Sequence, residues 1–252
     1  MFLTELSGCL SELYTPEGFK DYIASGLLIE GKKKVARGLT AVSFNVETAR
    51  KAVDQQADFL VVHHGHGFWD NQPRLLVGGF REKVSLLLQH QISLFAYHLP
   101  MDAQPEWGNN IQLLRALGLK KTGEFLPHGS HWIGLIGDYP EELPVQEFVK
   151  KVEKTVGQVN FSFLNGVSGI QRVAICTGGA AGSIREAHKA GADIFLTGEA
   201  KEETLSYCQD ENFNFLAAGH YNTETFGPKA LARYLSDIRG VPTQFVDVFN
   251  PV

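Results

Sequence analysis

The chain has 252 residues, with 23 basic against 28 acidic side chains and a formal net charge of −5. With 44% hydrophobic and 20% charged residues it can fill a core and need not be disordered. Its length suits one large domain or two modest ones, and its acidic balance is a poor match to general nucleic-acid binding.

The start of the chain carries Glu5 and Glu12 and lacks the basic-then-apolar layout of a secretory signal. Residues 39–44 read as a strand, and Asn45 is placed to cap a helix over 47–56. The run 58–62 (DFLVV) has the apolar character of a buried parallel strand and leads into His63, His64 and Gly65. A helix near 81–90 follows, with Leu86, Leu87 and Leu88 read as core packing, and then a strand over 92–97 that ends at His98. The stretch 84–101 is the longest without Asp, Glu, Lys or Arg. Gln89, His90, Gln91, His98 and Pro100 within it argue against a membrane span, so a soluble cytoplasmic protein is expected. Pro100, between His98 and Asp102, favours an extended turn there over a helix.

Residues 121–169 differ in texture, with the loop FLPHGSHW, a turn at Asp138-Tyr139-Pro140, a helix near 144–156 and a strand over 158–163. A strand over 172–177 then leads through a glycine-rich turn, 178–182, to a helix over 183–190, where Ser183 and Glu186 have capping-box spacing. A strand over 192–197 ends at Gly198 and Glu199, and after a helix over 202–209 a strand over 213–218 ends at His220.

The two ends match. Ala57-Asp58-Phe59-Leu60 aligns with Ala192-Asp193-Ile194-Phe195, and Phe95-Ala96-Tyr97-His98 with Leu216-Ala217-Gly219-His220 once Ala218 is absorbed. The expected fold is α/β: two related lobes with largely parallel or mixed sheets, the product of a degenerate internal duplication. The lobes are expected over 1–125 and 171–252, with 126–170 an intervening segment or small insertion, and the site at strand C-terminal ends between the lobes. Cys9, Cys176 and Cys208 have neither metal-finger nor redox spacing.

Four clusters stand at those strand ends: His63-His64, His98 with Asp102, Glu199, and His220 with Glu224. Imidazole and carboxylate together suit divalent zinc, manganese, iron or nickel, and paired carboxylates suit two cations. One His-x-x-x-carboxylate segment is more often a surface pair. Four clusters in register with a duplication favour a metal site. Neighbours in a regular strand point to opposite faces, so His63 and His64 share a site only if the strand has ended; otherwise one is structural. Glu199 has three open roles: ligand, catalytic base, or cap of the next helix. His66, in a glycine-rich loop, is either a catalytic substrate contact or an ordinary loop histidine. The 178–182 loop lacks the Gly-Lys-Ser/Thr of a P-loop, and a tight structural turn is favoured there over phosphate binding.

VVHHGHGFW at 61–69, YHLPMDAQPEWGNN at 97–110, FLTGEAKEET at 195–204 and AAGHYNTE at 217–224 resemble the NGG-interacting-factor-three-like family. These are bacterial dinuclear-metal proteins often labelled GTP cyclohydrolase type 2 homologues. The resemblance runs from about Tyr22 to Phe249-Asn250-Pro251. It implies a two-lobed subunit in a toroidal homo-hexamer, with two divalent ions held by His63, His64, His98, Asp102, His220 and Glu224. The activity expected from residues and resemblance together is metal-dependent hydrolysis of a small nucleotide-like or phosphorylated substrate. The alternative is a metal carrier or insertion factor without turnover.

Overall fold

A computed structural model describes residues 1–68 and 75–252. Trp69, the last residue of the double-histidine motif, lies outside the described residues. In chain order the elements begin with α1 (Leu3–Tyr14), β1 (Gly26–Ile29), β2 (Gly38–Ser43), α2 (Val46–Asp54), β3 (Phe59–His64), α3 (Gly78–Gln89), β4 (Ser93–Ala96) and α4 (Leu99–Ala103). They continue with α5 (Asn109–Ala116), β5 (Lys120–His128), β6 (His131–Pro144), α6 (Val145–Val156), β7 (Phe161–Leu164) and β8 (Gly169–Ile175). The last are α7 (Ile184–Lys189), β9 (Ile194–Thr197), α8 (Glu202–Asp210), β10 (Asn214–Ala217), α9 (His220–Thr223), α10 (Phe226–Arg233) and β11 (Thr243–Phe245).

The chain forms two compact units, one of Met1–Trp107 with Gly227–Phe249 and one of Gly108–Phe226 with Asn250–Val252. Residues 126–170 belong to the second, where β6, β7 and β8 are strands of its sheet.

Among the described residues, the first unit has a five-stranded sheet ordered β1-β4-β3-β2-β11. Strands β2, β3, β4 and β11 run parallel, and β1 is antiparallel to β4. Because a strand's side chains alternate, the apolar run in β3 feeds two cores at once. Leu60 and Val62 pack with Ala49 and Ala52 of α2 and Leu87 of α3. Phe59 and Val61 pack with Leu6 and Leu10 of α1 and Leu231 of α10. Helices therefore cover both faces, and each such fully buried side chain contributes roughly 1.5–3 kcal/mol. Asn45 caps α2 as its sequence position implied, accepting from the Thr48 amide at 2.8 Å.

The second unit repeats this plan in a six-stranded sheet ordered β5-β6-β8-β9-β10-β7. Strands β8, β9 and β10 are parallel, and β7 is antiparallel to β10. The order β7-β10-β9-β8 reproduces β1-β4-β3-β2, with the antiparallel strand preceding the parallel trio in both units. Both lobes of the expected fold are thus present, each with a mixed sheet. Ile194 and Leu196 face α5 and α6, while Phe195 faces α7 and α8.

Three local expectations are corrected. The turn expected at Asp138-Tyr139-Pro140 is absorbed into β6, whose ladder to β8 shifts register between Asp138 and Leu143. At such an irregularity a proline's missing N–H is tolerated. Ser183 makes no side-chain cap, because a 3-10 turn over Ala181–Ser183 leads directly into α7. Of the leucine stripe, Leu87 is buried but Leu88 is exposed, since consecutive helical residues lie on different faces.

Candidate metal centre

His63 and His64 are the last two residues of β3, so the strand does not end before them. Their rings nevertheless converge, with centroids 4.5 Å apart and at 5.0 and 5.4 Å from the His98 ring. One ligand atom from each of the three falls within 4.8 Å of the others. Pairing with β2 persists to Ser43↔His64, whereas pairing with β4 stops at Val62↔Ala96. The two histidines therefore lie where β3 has lost its β4 partner, at the end of the sheet.

After β4 the chain turns at His98, the residue that caps α4. The extended turn expected around Pro100 is a short helix: proline sits in its first turn, where no intrahelical N–H is required. Asp102 is buried on this helix, with its carboxylate 3.7 Å from His63 Nε2.

Each of these histidines is held through Nδ1. That atom lies 3.1 Å from the Tyr97 carbonyl in His63, 3.3 Å from the Ser43 hydroxyl in His64, and 3.0 Å from the Asp21 carboxylate in His98. Carbonyls and carboxylates only accept, so in His63 and His98 Nδ1 donates and Nε2 is left as the ligand nitrogen.

Asp21 escaped the sequence reading. It sits outside any regular element and carries no motif, yet it also accepts from the Leu99 and Ile23 amides at 3.1 and 3.2 Å. Burial pushes its carboxyl pKa up, but the hydrogen bond and charge of His98, helped by those amides, hold it below the usual value.

The His66 ring lies 5.3 Å from that of His64. Its carbonyl accepts from buried Lys83 Nζ at 2.7 Å, which also donates to the Phe44 carbonyl at 2.7 Å. Burial lowers the Lys83 amine to about 8.

In the second unit His220 opens α9 directly after β10, and Glu224 follows it. His220 Nε2 lies 3.1 Å from the Glu224 carboxylate and Nδ1 2.5 Å from that of Glu199. Burial would lower the His220 pKa; the hydrogen bond and charge of Glu224, then of Glu199, outweigh it and raise it to about 9. Glu199 does not cap α8, because Lys201 is the cap residue, its amide donating to the Thr204 hydroxyl at 2.9 Å.

The glycine-rich turn is fitted around this pair. Gly178 has a φ of +70°, and a Cβ there would run into the Glu224 carboxylate. Its amide donates to Thr223 Oγ1 at 3.0 Å, and its carbonyl accepts from Gly198 N at 2.8 Å and Thr197 Oγ1 at 3.0 Å. Asn110, the last residue of the YHLPMDAQPEWGNN segment, is a buried tie, donating to the Ile133 carbonyl and accepting from the Thr177 amide.

Fold and site together define a class: a two-unit α/β protein with buried imidazole–carboxylate clusters at parallel strand ends, a donor set compatible with divalent metal. The profile of the family described as Duf34/NIF3 (NGG1p interacting factor 3) matches residues 1–250, and the chain belongs to that family. It is 36% identical over 251 residues to a Yersinia pestis protein named GTP cyclohydrolase 1 type 2 homolog, covering 98% of each chain. A Pseudomonas aeruginosa protein of the same name is 38% identical over 232 residues, 92% of this chain and 91% of that one. The fold is similar to a solved structural-genomics protein, ybgI, described as of unknown function, with a TM-score of 0.94, 34% identity and full coverage of both chains. Among the described residues, no helix is long and apolar enough to cross a membrane.

Proposed function

We propose that the protein binds two divalent ions through His63, His64, His98 and Asp102 of the first unit and His220 and Glu224 of the second, and hydrolyses a small nucleotide-like or phosphorylated substrate. Metal binding is carried by one observation: three histidines converge with their Nδ1 atoms already engaged, leaving Nε2 as the nitrogen for a ligand. Bound zinc, manganese, iron or nickel would supply Lewis acidity and bring the pKa of a water toward neutrality. The chain itself orients the ligands and offers His66, beside His64, as a group that exchanges protons with substrate. The reaction class draws support from the relatives named GTP cyclohydrolase 1 type 2 homolog, which makes guanosine triphosphate the first substrate to try. A cytoplasmic homo-hexamer completes the reading.

The test is to strip the purified protein of metal and reload it with each of the four ions. Ion content is then measured, and turnover of guanosine triphosphate and of simple phosphoesters is followed. Two ions per chain, with hydrolysis that disappears on chelation and in Asp102→Ala, is the expected result. Stoichiometric metal without turnover of any of these overturns the hydrolase and leaves a metal carrier, recognised by transfer to a metal-free acceptor. Failure to take up metal overturns both. Light scattering of the same sample tests the hexamer.

A further inference from the structure

Two of the candidate ligand histidines are held by carboxylates, and they occupy equivalent places. His98 follows β4 and His220 follows β10, the last strands of the two parallel trios, and each opens a His-x-x-x-carboxylate segment. In both, Nδ1 faces a carboxylate from elsewhere in the same unit: Asp21 ahead of β1, and Glu199 after β9. We propose that Asp21 and Glu199 are positioning residues of the metal centre, each fixing one histidine ring through Nδ1 so that Nε2 is presented to a divalent ion. This rests on the metal-binding reading above.

A carboxylate does two things that a neutral acceptor does less well. It orients the ring and selects the tautomer with hydrogen on Nδ1, and its charge makes Nε2 a stronger ligand. Asp21 is built for this task. Its side chain is 5% exposed, and the Leu99 and Ile23 amides hold it in place, the first belonging to the residue next to His98. The Tyr22 ring packs edge-on against the His98 ring at 5.2 Å, closing off another direction of rotation. Glu199 reaches His220 from the end of the neighbouring parallel strand, so the register of β9 against β10 sets that contact. The two carboxylates come from different parts of the repeated plan, yet they grip the same nitrogen of equivalent histidines.

Zinc affinity, measured by competition with a chelating dye, tests both residues in the full-length protein. Asp21→Ala and Glu199→Ala are expected to weaken binding by roughly 10–100-fold. Asp21→Asn and Glu199→Gln keep an accepting oxygen and should recover part of the loss. A second readout needs no metal: in nitrogen–proton correlation spectra of the metal-free protein, His98 should carry its hydrogen on Nδ1 in the wild type and shift toward the other tautomer in Asp21→Ala. Wild-type protein that takes up no zinc removes the metal-binding reading itself. Zinc affinity unchanged in both alanine variants, or an unchanged His98 tautomer in Asp21→Ala, overturns the positioning role alone. Should Asp21→Ala fail to fold, Asp21→Asn carries the affinity and tautomer measurements.

Discussion

Asp58 and Asp193 do the same work at the start of the central strand in each sheet. Asp58 Oδ2 accepts from the Ala36 and Arg37 amides at 2.8 and 3.3 Å, and Asp193 Oδ2 from the Gln171 and Arg172 amides at 2.9 and 2.7 Å. Each aspartate's own amide donates at 2.8 Å to the carbonyl of the second residue of its pair, Arg37 or Arg172. The two carboxylates thus lock the register of β2 on β3 and of β8 on β9 from the strand N-termini. His63 and His64 sit at the opposite end of β3, and Glu199 follows the opposite end of β9.

Removing either lock should destabilise its unit. Asp193→Ala loses two charge-assisted bonds to backbone amides, and about 1–3 kcal/mol of stability is expected to go with them in urea unfolding. For Asp58 the pH dependence gives a second readout. Burial pushes its pKa up, but its bonds to Lys32 and the two amides hold it below 3.8. A depressed folded pKa means stability is present above the unfolded value and lost as pH falls through the folded one. Asp58→Asn should therefore flatten the loss of stability below about pH 4; an unchanged acid limb would show that the carboxylate contributes nothing.

Metal addition should raise the melting temperature of the wild type. A ligand that binds only the folded state at 100 times its Kd adds about 2.7 kcal/mol. In thermal scans His98→Ala and Asp102→Ala should lose most of that shift, whereas His90→Ala, on the exposed end of α3, should keep it. A full shift in Asp102→Ala would remove Asp102 from the ligand set.

Gly178→Ala is expected to cost stability and metal together. A φ of +70° penalises any Cβ by about 1–2 kcal/mol, and this one would also displace the Glu224 carboxylate and press on His220. Gly191, with a φ of +76° and open space around it, provides the control: Gly191→Ala should show the backbone penalty alone. Equal zinc affinity in the two variants would show that the 178–182 turn does not shape the site.

Lys83 predicts an effect at alkaline pH with the same slope as that of Asp58, stability rising with pH. Its folded pKa of about 8 lies below the unfolded value of 10.5, so between the two the unfolded chain binds the extra proton and stability rises with pH. Comparing wild type with Lys83→Met in urea unfolding from pH 7 to 10.5 isolates this contribution. The stability difference should move in favour of the wild type as pH rises; a flat difference would mean the amine keeps its proton through its bonds to Phe44 and His66.

Much of this protein was legible locally. The apolar run into His63, the Asn45 cap, and the alignment of Ala57-Asp58 with Ala192-Asp193 are short-range patterns, and each depends on neighbours a few residues away. They were enough to place four histidines at strand ends in two related α/β units. Trp69 of the motif falls outside the described residues, while in the rest of the glycine loop His66 brings its ring near that of His64 and its carbonyl to Lys83.

The sequence by itself determined the repeated strand–helix alternation and the candidate ligands, because periodicity, caps and strand ends are set by adjacent residues. Only the tertiary structure decided that the rings of His63 and His64 converge with that of His98, because strand alternation alone would separate neighbouring side chains. It also decided that Pro100 starts a helix and that Glu199 faces His220 instead of capping α8. Asp21 is the clearest case: 77 residues separate it from His98, and no local pattern marks a carboxylate whose meaning comes entirely from the ring the fold places 3.0 Å away.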